Sequence, residues 1–271
     1  MSEKNIIETT NRPNTLSTLY DDLLQIGIKD DDILLVHSSL SSLGWVCGGA
    51  QTVVTALLKS VGVNGTLVMP AHSGDWSDPA GWGNPPVPKE WIEIIYNNMP
   101  PFNPKTSPTR GMGRIAELFR TFPNTIRSNH PLVSFSANGK EAIYITENHY
   151  LTPQLGMDSP IGKMYDLNTK VLLLGVTYNS CTCFHLAETF IKNMPKEQVG
   201  TALLENDKPC WKWFNDFEYN TEDFELLGRA FEEKHNVRKT IIGNAECRLF
   251  NMKEAVDFAK KWLNQHRQYK C

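Results

Sequence analysis

The feature that most constrains the fold of this chain is a short apolar run, a helical segment and a second apolar run within residues 31–71. The two runs, "DDILLVHSS" and "GTLVMPA", have the length and composition of buried strands. Between them, "GGAQTVVTALLKSVG" has helical spacing, begins at Gly48 and Gly49 and ends near Gly62. A strand, a helix and a strand at this spacing predict a crossover unit. The expected fold is therefore α/β, with a central mixed or largely parallel sheet flanked by helices.

Further patterns extend this organisation along the chain. "NTLSTLYDDLLQIGI" predicts a helix that stops at Gly27, and "KVLLLGV" predicts a buried strand. "SPIGKMYDLN" predicts a short helix with Ser159 as its cap and Pro160 at its first position. "TEDFELLGRAFEEKHN" and "NMKEAVDFAKKWLNQH" predict amphipathic helices on either side of a strand near "KTIIGNAECRLF". Residues 1–271 contain no internal repeat or low-complexity tract and could form one large α/β domain, or one domain with a small appendage.

The segment from residue 72 to residue 108 differs in composition from the rest. "HSGDWSDPAGWGNPPVPKEW" and "NNMPPFNPKTSPT" are dense in Pro, Gly, Trp and Asp. Runs of this length in a compact domain are usually functional loops. The helix predicted for "GMGRIAELFRTF" and the strand predicted for "VSFSANG" follow this segment. We therefore expect long active-site loops here.

The composition and net charge argue against nucleic acid and membrane as partners. The chain has a formal net charge of -3, with 41% hydrophobic and 21% charged residues, which is ordinary for a globular protein and unlike a nucleic-acid binder. The start, "MSEKNIIETT", does not resemble a signal peptide, and no apolar run is long enough to cross a bilayer. We expect a cytoplasmic protein with no membrane partner. Its cysteines would remain thiols, at positions 47, 181, 183, 210, 247 and 271.

The most informative short stretch is "YNSCTCFHLAETF", which follows the strand "KVLLLGV" directly. If it begins a helix, His185 and Glu188 share one face at i, i+3, near the carboxyl end of a central strand. The helix dipole disfavours an imidazolium in the first turn, so His185 would stay neutral and able to accept a proton. A carboxylate on one ring nitrogen would fix the tautomer. The pattern favours His185 as a general base with Glu188 as its partner.

Other interpretations of the stretch remain open. It could be a helix start with a hydrogen-bonded histidine and a capping glutamate, for which spacing alone gives about even odds. A metal site is disfavoured because Cys-x-Cys-x-His is not a usual zinc spacing. Cys183 as a nucleophile with His185 as its base is also disfavoured, because helix neighbours are three or four residues apart. Cys181 and Cys183 are better explained as small, partly buried residues.

Two other polar segments are candidates for ligand binding. "HSSL", at residues 37–40, leaves a strand with two hydroxyls and fresh backbone amides, which suits a polar cofactor arm or an oxyanion; an ordinary polar turn is the commoner explanation. "SPTRGMG" places hydroxyls, an arginine and amides before a helix, a combination that can hold phosphate. Its "RGMG" resembles the pyrophosphate loop of GNAT acetyltransferases but fails at Ile115, where that loop needs a small residue.

Taken together, six ordered segments resemble the aminoglycoside 3-N-acetyltransferase family, which is distinct from GNAT. They are "VHSSLSSLGWVCGGAQTVVTALLKSVGVNGTLVMP", "SDPAGWGNPPVP", "SPTRGMGRIAELFR", "RSNHPLVSFSANG", "DSPIGKMYDL" and "VLLLGVTYNSCTCFHLAE". The resemblance is close over roughly residues 15–190 and looser beyond. It implies a cytoplasmic enzyme of antibiotic resistance that transfers an acetyl group from acetyl-CoA, as cosubstrate, to the 3-amino group of a 2-deoxystreptamine aminoglycoside. It also implies a single α/β domain and no metal.

The resemblance also implies roles for residues. His185 matches the family's probable base and Glu188 its motif acid, which would orient His185 or hold a substrate ammonium. The pantetheine-binding segment corresponds to Ser38, Ser39 and Leu40. The second CoA-contacting segment corresponds to Ser107, Thr109 and Arg110.

An aminoglycoside is a polycation, so its site is expected to be acidic. Asp75 and Asp158, together with Glu188, are the predicted substrate-binding carboxylates, although each aspartate could equally be a turn or cap residue. The approach to His185, "TYNSCTCF", is bulkier than the Gly- and Asn-rich one common in the family. That departure keeps open an acyltransferase for a different amine, a non-catalytic binder of CoA or aminosugar, and a thiol enzyme based on Cys183. The sequence does not specify the oligomeric state.

Overall fold

The computed structural model describes residues 3–269, which contain a seven-stranded mixed sheet and a separate two-stranded hairpin. The sheet strands are β1 (Ile33–Ser38), β2 (Thr66–Pro70), β3 (Ile126–Arg127), β4 (Phe135–Gly139), β5 (Lys170–Leu174), β8 (Arg238–Ile242) and β9 (Ala245–Asn251). Their order is β3-β4-β2-β1-β5-β9-β8. The three central strands β2, β1 and β5 are parallel, and every outer pairing is antiparallel.

Helices cover both faces of this sheet. They are α1 (Glu3–Glu8), α2 (Leu16–Ile26), α3 (Gly49–Val61), α4 (Lys89–Asn98), α5 (Gly113–Phe119), α6 (Ala142–Thr146), α7 (Pro160–Asp166), α8 (Phe184–Glu188), α9 (Phe224–Glu232) and α10 (Met252–His266). The α/β architecture predicted from the sequence is confirmed, with the parallel part of the sheet at its centre.

The central strands build two cores because successive side chains point to opposite faces. On β1, Leu34 and Val36 pack into the core formed with α2, α3 and α5, whereas Leu35 packs into the core on the other face. β2 and β5 divide their buried side chains in the same way. All these strand residues are buried, which explains why the strands appear in the sequence as continuous apolar runs.

Several helix ends follow the sequence pattern. α2 stops at Gly27, which has φ 108° in the left-handed region and donates its N–H to the carbonyls of Leu23 and Leu24. α7 begins at Pro160, as predicted. Ser159 occupies the cap position, but its hydroxyl donates back to the Gly156 carbonyl and makes no capping bond.

Several elements were not predicted. Strands β6 (Lys196–Glu205) and β7 (Lys208–Phe217) form a long hairpin outside the main sheet. The region near "KTIIGNAECRLF" contains the two strands β8 and β9, where one was expected. The segment 72–108, expected to be loop, contains α4 as well as two short 3₁₀ turns at Gly74–Trp76 and Pro79–Gly81.

The described cysteines are thiols, and the described helices are short or polar. The five cysteines within residues 3–269 are free, whereas Cys271 lies outside the described residues. Among the described helices, none has the length and apolar character needed to cross a membrane.

Candidate active site

A histidine stands at the carboxyl end of each of the three parallel strands. His37 is the fifth residue of β1, His72 follows β2 by two residues, and His185 follows β5 through a 3₁₀ turn at Tyr178–Ser180 and the start of α8. Because the carboxyl ends of parallel strands meet at one edge of a sheet, the three rings converge there. They line a single cavity of about 320 Å³, called the histidine chamber below.

His185 and Glu188 form the hydrogen-bonded pair that their spacing suggested. The distance between His185 Nδ1 and Glu188 Oε2 is 2.5 Å, at i, i+3 within α8. Glu188 is fully buried, whereas the His185 side chain is 13% exposed. Because the carboxylate accepts the Nδ1–H, the Nε2 of a neutral His185 carries the lone pair.

Glu188 is held from its other side by the end of the chain. Its Oε1 accepts hydrogen bonds from Arg267 and from the backbone N–H of Asn220, the latter at 3.0 Å. Arg267 also pairs with Asp223 through Nε at 2.7 Å. Burial alone would lower the pKa of Arg267, but its bonds to Asp223 and Glu188 raise that pKa above its ordinary value. The carboxylate therefore has a fixed position against His185.

Aromatic rings fix the plane of the His185 imidazole. Tyr219 meets it edge-on with ring centroids 5.4 Å apart, and Phe224 lies against it at 4.9 Å. Burial, reinforced by the negative charges of Asp216 and Glu188, raises the pKa of Tyr219, although a hydrogen bond with Leu155 opposes that shift. Tyr219 is therefore a neutral wall of the site.

His37 and His72 are neutral groups of the chamber. Burial, and then the positive charge that His185 can carry, lower the pKa of each to about 3. In both rings Nε2 is buried and has no hydrogen-bond partner among the described residues. Neither His37 nor His72 was assigned a role from the sequence. The signal that could have identified them is a polar residue at or just after the end of a fully buried strand.

A second cavity, of about 640 Å³ and called the serine cleft below, adjoins the chamber. Both are lined by Ser38, Gly111, Met112, Val176 and Ser180, so they form one continuous space. The cleft brings together the predicted pantetheine segment, Ser38, Ser39 and Leu40, and the loop of residues 111–114.

The second predicted CoA segment is placed differently. Ser107 is buried, and its hydroxyl accepts the Asn103 N–H at 3.0 Å. Thr109 donates its N–H and its hydroxyl to Glu117 Oε2, at 2.9 and 2.7 Å. Both side chains thus hold the loop that leads to the serine cleft. Their direct contact with CoA stays a prediction.

Arg110 and Asp75 are brought together, outside the chamber. Arg110 Nη1 lies 2.6 Å from Asp75 Oδ1, and Nη2 donates to the Asn84 carbonyl at 3.3 Å. The pair borders a small cavity of about 130 Å³. Asp158 is exposed just before α7, where its charge acts on Lys163. The substrate-binding roles of Asp75 and Asp158 stay predictions.

Cys181 and Cys183 lie beneath the site. Both are fully buried, with their Sγ atoms 3.4 Å apart. Burial raises the pKa of the Cys181 thiol, which disfavours the reactive thiolate. Within residues 3–269, no group of three or more His, Cys, Asp or Glu side chains is arranged to hold a metal ion.

Comparisons with known proteins show the family of this chain. A family model described as aminoglycoside 3-N-acetyltransferase matches residues 35–264. The SPbeta prophage-derived aminoglycoside N(3')-acetyltransferase-like protein YokD of Bacillus subtilis is 48% identical over 261 residues, 96% of each chain. The crystal structure of YokD superposes with a TM-score of 0.95 and 46% identity, covering 98% of this chain and 100% of that one.

Two liganded structures are also similar. AAC-IIIb in a binary complex with CoASH has a TM-score of 0.83 and 28% identity, covering 94% of this chain and 98% of that one. AAC-VIa bound to sisomicin has a TM-score of 0.85 and 27% identity, covering 95% and 100% of the two chains.

Proposed function

The chain belongs to the aminoglycoside 3-N-acetyltransferase family, and from this we propose that it transfers the acetyl group of acetyl-CoA to the 3-amino group of a 2-deoxystreptamine aminoglycoside. His185 is the general base. The observation that carries the proposal is the pair His185–Glu188, which is anchored by Arg267 and faces a chamber continuous with the serine cleft.

The acceptor amine needs a base. An aliphatic amine is mostly protonated at neutral pH and cannot attack a thioester until it loses a proton. That first proton leaves to solvent. The Nε2 lone pair of His185 accepts the second proton, which the nitrogen loses as it bonds to the acetyl carbon, while Nδ1–H donates to Glu188 at 2.5 Å and supports the imidazolium that forms. A base positioned in this way contributes about 10²–10⁴-fold to the rate.

The serine cleft has the chemistry to hold acetyl-CoA. Ser38, Ser39 and Ser41 supply hydroxyls, and Arg114 supplies a positive charge for a phosphate. Gly111 and Gly113 have φ values of 74° and 80°, conformations that favour glycine and turn backbone groups of the loop toward a ligand. The AAC-IIIb complex with CoASH supports the use of CoA by this family.

The transfer is direct. The amine bonds to the acetyl carbon to give a tetrahedral intermediate, the bond to sulfur then breaks as the carbonyl re-forms, and CoA leaves as a thiolate that takes the proton from His185. Fixing the two reactants side by side supplies much of the rate enhancement. The buried Cys181 and Cys183 have no part in this scheme.

One observation favours a second candidate, acyl transfer to a less cationic amine. Among the described residues that line the histidine chamber, none is Asp or Glu. The bound sisomicin in AAC-VIa supports the aminoglycoside as acceptor in a relative, and a polycation needs carboxylates near its amines. The acceptor must therefore be tested across amines of different charge.

The test is the release of free CoA thiol from acetyl-CoA, measured with 2-deoxystreptamine aminoglycosides and with simple aminosugars that carry one amine. We expect aminoglycoside-dependent release by the wild type and a loss of about 10²–10⁴-fold in His185→Ala with unchanged acetyl-CoA binding. His266→Ala, an exposed histidine at the end of α10, is the matched control. Release with only the simple aminosugars would show that the acceptor is an amine of lower charge and not an aminoglycoside. Full activity of His185→Ala would show that His185 is not the general base.

A further inference from the structure

His37, beside the histidine chamber, has a ring nitrogen without a hydrogen-bond partner among the described residues. Its ring is 95% buried, since only 5% of the residue is exposed, and it lines the histidine chamber. Nε2 is buried and finds no partner among residues 3–269. A buried polar nitrogen without a partner is unfavourable for folding, so its presence in a native structure needs an explanation, and a catalytic role is one.

The tautomer of His37 follows from its one side-chain contact. Thr182 Oγ1 lies 3.4 Å from His37 Nδ1, a long hydrogen bond in which either group could donate. The Thr182 hydroxyl has no other described acceptor, so its proton points to Nδ1. His37 Nδ1 is then the acceptor, and Nε2 carries the hydrogen. The unpartnered atom is a donor.

The position of His37 relates it to the thioester. Ser38, the next residue, lines both cavities and belongs to the predicted pantetheine segment. The thioester lies at the end of the pantetheine arm, so an arm bound along Ser39 and Ser38 delivers its carbonyl to the neighbourhood of residue 37. His185 borders the same chamber, so its lone pair and the His37 donor can act on the same reacting group.

We propose that His37 is a further catalytic residue, whose Nε2–H donates to the thioester carbonyl oxygen, and that Thr182 is the positioning residue that fixes its tautomer. The inference rests on the acyl transfer proposed above. When the amine nitrogen bonds to the acetyl carbon, the carbonyl π pair moves to oxygen, and His37 stabilises that negative charge. The carbonyl then re-forms, the bond to sulfur breaks, and the amine proton, first taken by His185, passes to the CoA thiolate.

A neutral imidazole suits this task. The low pKa of His37, caused first by burial and then by the charge of His185, keeps it neutral throughout the pH range in which amines react. It therefore polarises the carbonyl without competing with His185 for the proton, and the two rings do not repel each other when His185 becomes charged.

The experiment compares His37→Leu with His37→Gln, which keeps an N–H donor. We expect His37→Leu to lower kcat about 10²–10³-fold, with less than about threefold change in the KM for acetyl-CoA. Thermal stability should change little, because removal of the unpartnered Nε2 offsets the loss of the long hydrogen bond between Thr182 and Nδ1. His37→Gln should recover at least part of kcat. The acid limb of the kcat/KM profile should keep its midpoint, because His185 remains the base.

A second pair of variants tests the positioning role without altering the histidine. Thr182→Val removes the hydroxyl that fixes the tautomer, and kcat should fall, whereas Thr182→Ser should restore it. This pair decides the question if His37→Leu fails to fold. Wild-type kcat in His37→Leu, or in Thr182→Val where His37→Leu does not fold, would overturn the inference and leave His185 untouched. Failure of the wild type with every amine would instead overturn the proposed function, and this inference with it.

Discussion

Arg267 donates a hydrogen bond to Glu188 from 79 residues further along the chain, while the other oxygen of that carboxylate accepts the Nδ1–H of His185. The guanidinium is 9% exposed and Glu188 is completely buried. A residue just beyond the last helix thus fixes the carboxylate that orients His185, the proposed base. The end of the fold and the chemistry of the site are coupled.

Arg267→Met should destabilise the protein and impair transfer together. It leaves the buried carboxylate of Glu188 and the partly buried one of Asp223 without their cation, and loss of one partner of a buried pair typically costs about 3–5 kcal/mol of unfolding free energy. Urea unfolding measures the loss, and kcat should fall because Glu188 no longer holds His185. The control is Arg229→Met: Arg229 is 70% exposed and pairs with Glu225, so its loss should cost under about 1 kcal/mol. Equal losses in both variants would contradict the buried-pair argument.

The sequence predicted the part of this arrangement that is local. His185 and Glu188 are three residues apart, and the helix following β5 brings them together without help from the rest of the fold. Arg267 could not be assigned from the sequence, because spacing says nothing about a partner 79 residues away. His37 and His72 lie at the ends of predicted strands. Their rings meet His185 only because the strands are ordered β2-β1-β5, and the sequence does not specify that order.

The hairpin β6–β7 shows why a clear fold class still leaves elements undetected. Its turn residues, Asn206 and Asp207, have φ values of 50° and 62°, as a tight two-residue hairpin turn requires. Its strands, however, contain polar and charged residues on a partly exposed surface and lack strict alternation. The buried central strands are recognisable because both faces are covered, whereas a hairpin outside the sheet has no such constraint.

Gly111→Ala should weaken acetyl-CoA binding selectively. A Cβ at Gly111 meets no atom within 4 Å, so the effect is conformational: φ is 74°, and holding an L-residue there costs about 1–2 kcal/mol. If the loop relaxes to relieve that strain, the KM for acetyl-CoA should rise about 5- to 30-fold, with little change for the amine. Gly83→Ala, which is also uncrowded and has no left-handed φ, is the control and should behave as wild type.

Asp158→Asn should raise the KM for a polycationic acceptor more than Asp75→Asn. Asp158 is exposed, whereas the charge of Asp75 is already paired with Arg110 at 2.6 Å. If the acceptor is attracted by free carboxylates, loss of Asp158 should cost about 1 kcal/mol, or roughly fivefold in KM. The difference should shrink with added salt because exposed charges are screened. Unchanged KM values in both variants, measured with an aminoglycoside, would remove these residues from the acceptor site.

Acid destabilisation should begin well above the range of the carboxylates. His130 is completely buried: its Nδ1 accepts the N–H groups of Leu132 and Val133, at 3.2 and 3.1 Å, and Nε2–H donates to the Leu151 carbonyl. Burial lowers the pKa of His130 to about 4, although the bond to Leu151 opposes that shift. The neighbouring His149, whose ring is tilted by 33° with its centroid 4.5 Å away, also has a lowered pKa, again chiefly because of burial.

Between pH 6.5 and 4 the unfolded chain therefore binds more protons than the folded protein, so stability falls as pH falls through this window. His130 alone should contribute a slope of about 1.4 kcal/mol per pH unit. Asparagine can keep an acceptor near the Nδ1 position without titrating, so His130→Asn should lower the slope by about that amount, whatever its effect on stability at pH 8. Urea unfolding at half-unit steps from pH 8 to 4 measures both slopes. Parallel curves for the two proteins would show that His130 titrates normally in the fold.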